Sequence, residues 1–145
     1  MELYNYRVSS FEVQDGDTVD VTVELGFDIN YRTSVRMEGI DTPEKTGKTK
    51  PVGLAVADWV RWLLATYPTV TLISKRWDKY GGRIDGQLFI NAAGRQPLNV
   101  SDLLLKLHMA QPLSPDGARS CWKSAALKVA LAAAAKRDLD PWLVQ

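Results

Sequence analysis

Between Thr18 and Leu25 polar and apolar residues alternate without a break, as Thr18-Val19-Asp20-Val21-Thr22-Val23-Glu24-Leu25. A period of two puts every second side chain on one face, so this segment is a strand with one side in a core and one in water. A helix would scatter the same apolar residues around its circumference. Whatever fold the chain adopts must therefore contain a sheet. Gly26 to Asn30 interrupts the pattern, and Tyr31 to Ile40 resumes it through Thr33, Val35, Met37 and Ile40. The two runs predict a hairpin with a long tip.

Other elements follow from the same kind of evidence. Tyr4 to Val13 is rich in aromatic and β-branched residues, with Val8, Phe11 and Val13 as core candidates, and Gln14-Asp15-Gly16 signals a turn. Thr42-Pro43-Glu44 ends the third strand, and Lys45 to Pro51 reads as a polar, basic loop. Val52, Val56, Trp59, Val60, Leu63, Leu64 and Tyr67 then recur at helical spacing and define one buried stripe. Thr69 to Ile73 and Leu88 to Ile90 read as two more strands, joined by a turn at Asp78-Lys79-Tyr80-Gly81-Gly82. Asn99 suits the N-cap of a helix carrying Leu103, Leu104 and Leu107. After a break at Ser114-Pro115-Asp116-Gly117, an alanine-rich helix is expected to run to about Arg137, with Cys121 in it as a packing residue. Five strands interrupted by a helix predict an α+β fold, mainly β in its core, built around a small barrel. The chain has 145 residues with no repeat or boundary, so one domain over 1–145 is expected.

Composition narrows the chemistry. Hydrophobic residues make up 46% and charged residues 24%, enough apolar material for a core without disulfide staples. The single cysteine excludes an intrachain disulfide framework and suits a reducing compartment. Met1 to Tyr4 lacks a basic stretch leading into an apolar run, and no segment has the length of a membrane span. The expectation is a cytoplasmic protein with no membrane partner. A net charge of +1 does not announce nucleic acid, so any such role must rest on local charge. With His108 as the only histidine, two-histidine acid–base pairs and Cys/His zinc sites are excluded. What remains is carboxylate, arginine and hydroxyl chemistry, which suits hard cations and phosphate.

Asp15 and Asp17 flank Gly16 at a strand entry, and Asp41, Thr42 and Glu44 close another strand. If those strands pair, both clusters meet at one sheet edge. Oxygen ligands without sulfur or imidazole favour Ca²⁺, or Mg²⁺, over zinc. Arg36 sits between apolar Val35 and Met37 and so points to the opposite face, where its planar fork can meet a phosphate. Arg83 follows a glycine pair that frees the backbone for close approach to a ligand. Taken singly, Asp-Gly-Asp is a common turn and a strand arginine is usually a solvated charge. Trp77 borders this region as a possible base-stacking side chain, whereas Trp59, Trp122 and Trp142 read as packing residues.

In order and spacing, Asp15-Gly16-Asp17-Thr18-Val19, Arg36-Met37-Glu38-Gly39-Ile40-Asp41-Thr42-Pro43-Glu44 and Asp78-Lys79-Tyr80-Gly81-Gly82-Arg83 resemble the staphylococcal nuclease (thermonuclease) family. Ala135 to Trp142 is similar to that family's terminal helix closing on a tryptophan. The resemblance spans roughly Val13 to Trp142. It implies an OB-fold, a five-stranded barrel with about three helices, and a monomeric Ca²⁺-dependent hydrolase of DNA or RNA phosphodiesters. By position, Asp17 and Asp41 would be metal carboxylates and Thr42 would add its main-chain carbonyl. Glu44 would be the general base, with Arg36 and Arg83 on the phosphate. Lys79 and Tyr80 would lie near the substrate, and Asp15 would support the metal ligands.

The departures from that pattern are specific. Tyr80-Gly81-Gly82-Arg83 carries one glycine more than the family's run, which bears on where Arg83 lies. The first hairpin is longer and the loop after Glu44 shorter. His108 stands where the family commonly has a helix-ending glycine, and Gln111 to Ser114 lacks base-stacking tyrosines. Two rival readings are a catalytically silent OB-type module that binds nucleic acid or peptide, and a structural calcium-binding domain.

Overall fold

The computed structural model describes residues 4–79, 81–119 and 121–144. Three long strands open the chain: β1 (Asn5–Asp15), β2 (Thr18–Gly26) and β3 (Ile29–Met37). A two-residue strand, β4 (Ile40–Asp41), and helix α1 (Lys50–Thr66) follow. Next come β5 (Thr69–Trp77), β6 (Ile84–Asn91), the short β7 (Leu98–Asn99) and α2 (Val100–Lys106). The chain finishes with β8 (Gln111–Pro112), α3 (Ser124–Ala134) and a 3₁₀ turn at Pro141–Leu143. The main sheet runs β3-β2-β1-β5-β6-β7 and closes on itself where β3 pairs with β6. That closure makes a five-stranded OB-like barrel of α+β type, with three helices around a mainly β core.

The alternating segment behaves as its period requires. Val19, Val21 and Val23 of β2 and Val35 and Met37 of β3 are all buried. The α1 stripe is equally faithful, since Val52, Val56, Trp59, Val60, Leu63 and Leu64 lie under the surface. These side chains join one apolar cluster with Leu72, Leu88, Ile90, Leu103, Leu104 and Met109. Fully burying a side chain of this size contributes about 1.5–3 kcal/mol. Among the described residues no helix is long and apolar enough to cross a membrane.

Three local expectations are corrected. The β2–β3 hairpin has no long tip: Gly26 pairs with Ile29, and Phe27 and Asp28 alone make the turn, with φ of 54° and 59°. Two positive φ angles give the twist that matches flanking strands, so a tight turn wins although neither residue is glycine. Second, the last helix starts only at Ser124, so Cys121 is exposed and outside any helix. Third, Phe11 is only partly buried, while Val8 and Val13 reach the core.

Asn99 caps α2 as expected, its side chain accepting from Ser101 N at 2.8 Å. The other end of α2 is closed by His108 at φ 61°, with Met109 N donating to Leu104 O at 2.9 Å. An L-residue in this left-handed conformation costs about 1–2 kcal/mol, part of which glycine returns as unfolded-state entropy. His108→Gly is expected to raise the unfolding free energy by about 0.5–1 kcal/mol, read from the urea midpoint. An unchanged or lower midpoint would mean that the imidazole makes compensating contacts.

Candidate active site

Two tight approaches build one end of the barrel. Gly16 joins β1 to β2 against α1, and a Cβ there would fall 2.7 Å from Val56 Cγ1 and 2.9 Å from Thr42 Oγ1. Gly53 does the same on α1, where a Cβ would meet the Glu44 carbonyl oxygen at 2.3 Å. The lack of side chains at these two positions lets the Asp15–Asp17 turn and the Thr42–Glu44 segment close onto the helix and each other. Register completes the arrangement. Thr18 pairs with Arg36, and Met37 N donates to Asp17 O at 2.8 Å. β4 pairs with β8, which ties Asp41 to the segment leading into residues 113–123.

Asp17 and Asp41 are almost wholly buried, at 2% and 1% exposure, although both are carboxylates. Such groups need partners. Asp17 accepts from Thr42 N at 3.1 Å and from Thr18 Oγ1 at 3.0 Å, and Arg36 Nη1 lies 3.5 Å away. Asp41 accepts from Arg119 Nη1 at 3.1 Å and from Trp122 Nε1 at 3.3 Å. Arg119 also pairs with Glu44. Asp15, Asp17, Thr42, Pro43, Glu44 and Arg119 line a single cleft.

The crowding of acids has an electrostatic signature. Burial pushes the Asp41 carboxyl above its ordinary value, a shift opposed by Arg119 and reinforced by Asp17. Asp15 is pushed the same way, first by burial and then by Asp17, with Lys45 opposing. Negative charge at this rim is therefore held at a cost, and added positive charge relieves it.

Arg36 differs from the expectation of an open phosphate-facing side chain. It is buried, and its fork donates to Met37 O at 3.0 Å and Ile40 O at 2.8 Å. It braces the β3–β4 corner and faces Asp17 with the rest of its fork. Arg83 comes to this end of the barrel immediately before β6, which pairs with β3 through Val35–Ile84 and Arg36–Asp85. Its guanidinium is turned onto Asp78 at 3.2 Å and does not line the cleft. The extra glycine is absorbed within the loop, because Gly81 and Gly82 take φ of 75° and 74° and Asp78 N still reaches Arg83 O. Lys79 is exposed, with Nζ 4.0 Å from where a Gly117 Cβ would stand, beside the 114–118 turn rather than the cleft. Tyr80 lies outside the described residues. Trp77 is exposed at the end of β5.

Two residues that hold Asp41 carried no sequence signal as members of the site. Arg119 and Trp122 reach Asp41 across 78 and 81 residues of chain. Neither falls on a periodic face; the only cue was a cation and an aromatic just after a Pro-Asp-Gly break. Trp122 still packs against the core, so its packing assignment stands with a second contact added.

The donor set suits a hard divalent cation. Thr42 Oγ1 is buried with no hydrogen-bond partner, buried Asp17 lines the cleft with buried Asp41 behind it, and a guanidinium already supplies positive charge between Asp41 and Glu44. Among the described residues no three acidic, histidine or cysteine side chains are gathered closely enough to enclose an ion as they stand. Compared with known proteins, the chain matches no family model and no curated sequence.

Proposed function

We propose that the protein is a metal-dependent nuclease that hydrolyses phosphodiester bonds of DNA or RNA. The observation that carries this reading is the convergence of Asp15, Asp17, Thr42 and Glu44 on one cleft, with Asp41 and Arg36 directly behind them. Three carboxylates in the cleft and a fourth behind it would repel phosphate in a simple nucleic-acid-binding barrel.

Asp17, Asp41 and Thr42 would hold Ca²⁺ or Mg²⁺, which when bound supplies a Lewis acid for a phosphate oxygen and neutralises the clustered acids. Glu44 is the cleft carboxylate best placed to move a proton, because its side chain is 49% exposed whereas Asp17 and Asp41 are sealed in. Glu44 would take a proton from the attacking water as the water oxygen adds to phosphorus, and the ester oxygen that departs would take up a proton from solvent. Arg36 holds Asp17 and the β3–β4 corner in place, and its remaining N–H groups meet the charge that grows on the phosphate. Arg83 can join them once it exchanges Asp78 for phosphate.

The test is digestion of single-stranded DNA, duplex DNA and RNA with Ca²⁺ or Mg²⁺, each with and without chelator. Cleavage that chelator abolishes is the expected result. Purified protein that cuts none of the substrates with either metal overturns the reading.

A further inference from the structure

The two arginines at the carboxylate cluster are held in opposite ways. Arg36 is 10% exposed at its side chain, and both ends of its fork donate to backbone carbonyls of its own corner. It cannot leave without unmaking the β3–β4 connection. Arg119 is 53% exposed at its side chain, and it reaches Asp41 Oδ1 at 3.1 Å and Glu44 through a single nitrogen, Nη1. It stands on the stretch between β8 and α3, whose described residues form no helix or strand. That stretch is shaped by local bonds, with Ala118 N donating to Ser114 Oγ at 3.1 Å and to Asp116 Oδ1 at 3.0 Å. The same stretch sets Trp122 Nε1 against the other Asp41 oxygen at 3.3 Å.

Asp41 therefore has both carboxylate oxygens occupied by donors from one segment, and Glu44 shares one of those donors. A cation bound to Asp41 needs an oxygen that Arg119 now covers, and it would face a guanidinium charge at contact distance. The guanidinium and a cation therefore compete for the same oxygen.

We propose that Arg119 is a built-in competitor for the cation site, so that metal binding at Asp41 requires its release and loosens the segment that carries Arg119 and Trp122. This rests on the metal-dependent reading above and deepens it. The guanidinium offsets the charge of the clustered acids when metal is scarce. Because the coupling is reciprocal, metal weakens the hold on the segment by the factor by which Arg119 weakens metal binding. Couplings of this kind commonly span about 5–150-fold.

Terbium is a suitable probe, since a lanthanide takes hard oxygen ligands and Trp122 beside Asp41 can sensitise its emission. Titration of the wild type and of Arg119→Gln with Tb³⁺ alone is expected to show about tenfold tighter binding by the variant. Arg119→Lys, which keeps the charge without the planar fork, is expected to fall between them. Thermal unfolding of each variant without metal confirms that the fold is retained. In the wild type, Ca²⁺ is further expected to speed tryptic cleavage after Arg119. Equal or weaker Tb³⁺ binding by Arg119→Gln, with binding by the wild type, overturns the competition and leaves the metal site standing. Absence of Tb³⁺ binding by every form overturns both.

Discussion

Glu44→Gln is expected to lower metal-dependent phosphodiester cleavage by about 10²–10⁴-fold, the usual contribution of a positioned general base. Glutamine keeps the size and hydrogen-bonding reach of the side chain but cannot take up a proton at the working pH. Glu44 is the half-exposed member of the cluster, so its fold contribution is small and the variant should melt close to the wild type. It also pairs with Arg119, and a neutral amide releases part of that hold. Metal affinity in Glu44→Gln should therefore be equal to or above that of the parent. Single-turnover cleavage at saturating metal separates the two effects. A variant that cuts at the wild-type rate would remove Glu44 from the role of base.

The second large effect concerns stability. Arg36→Ala is expected to cost about 3–5 kcal/mol, because it strips a buried carboxylate of its cation. Met37 O and Ile40 O lose their donors, and Asp17 is left with Thr42 N and Thr18 Oγ1. Arg36→Lys keeps the charge but offers a single ammonium where two carbonyls are held by one planar fork. It should restore part of the stability and little of the activity. Urea unfolding of both variants checks this. A cost below about 1 kcal/mol for Arg36→Ala, the scale of an exposed ion pair, would contradict the bracing role.

These two expectations rest on residues of different legibility. Glu44 was visible as the end of an Asp-Thr-Pro-Glu run, and it does line the cleft with Asp15, Asp17 and Thr42. Arg36 was visible as a charge between apolar neighbours, but an alternation pattern cannot distinguish a water-facing position from one enclosed at a barrel end. Its burial follows from the β3–β4 corner folding back over it, which period two does not encode. Arg83 shows the converse. The strand it leads into lies beside that of Arg36, yet its charge is settled on Asp78, five residues earlier in its own loop.

By itself the sequence determined the strands β1, β2 and β3, the buried face of α1, the Asn99 cap and the Asp15-Gly16-Asp17 turn, because each depends on neighbours within a few positions. The alternation from Thr18 to Leu25 alone demanded a sheet with one buried face. Tertiary structure decided the rest: closure of the barrel through β3 and β6, the two-residue turn at Phe27–Asp28, and the meeting of Arg119 and Trp122 with Asp41. Contacts across 78 and 81 residues leave no periodic trace, since their energy comes from compensating a buried charge. That compensation exists only once the chain has folded and water has left Asp41.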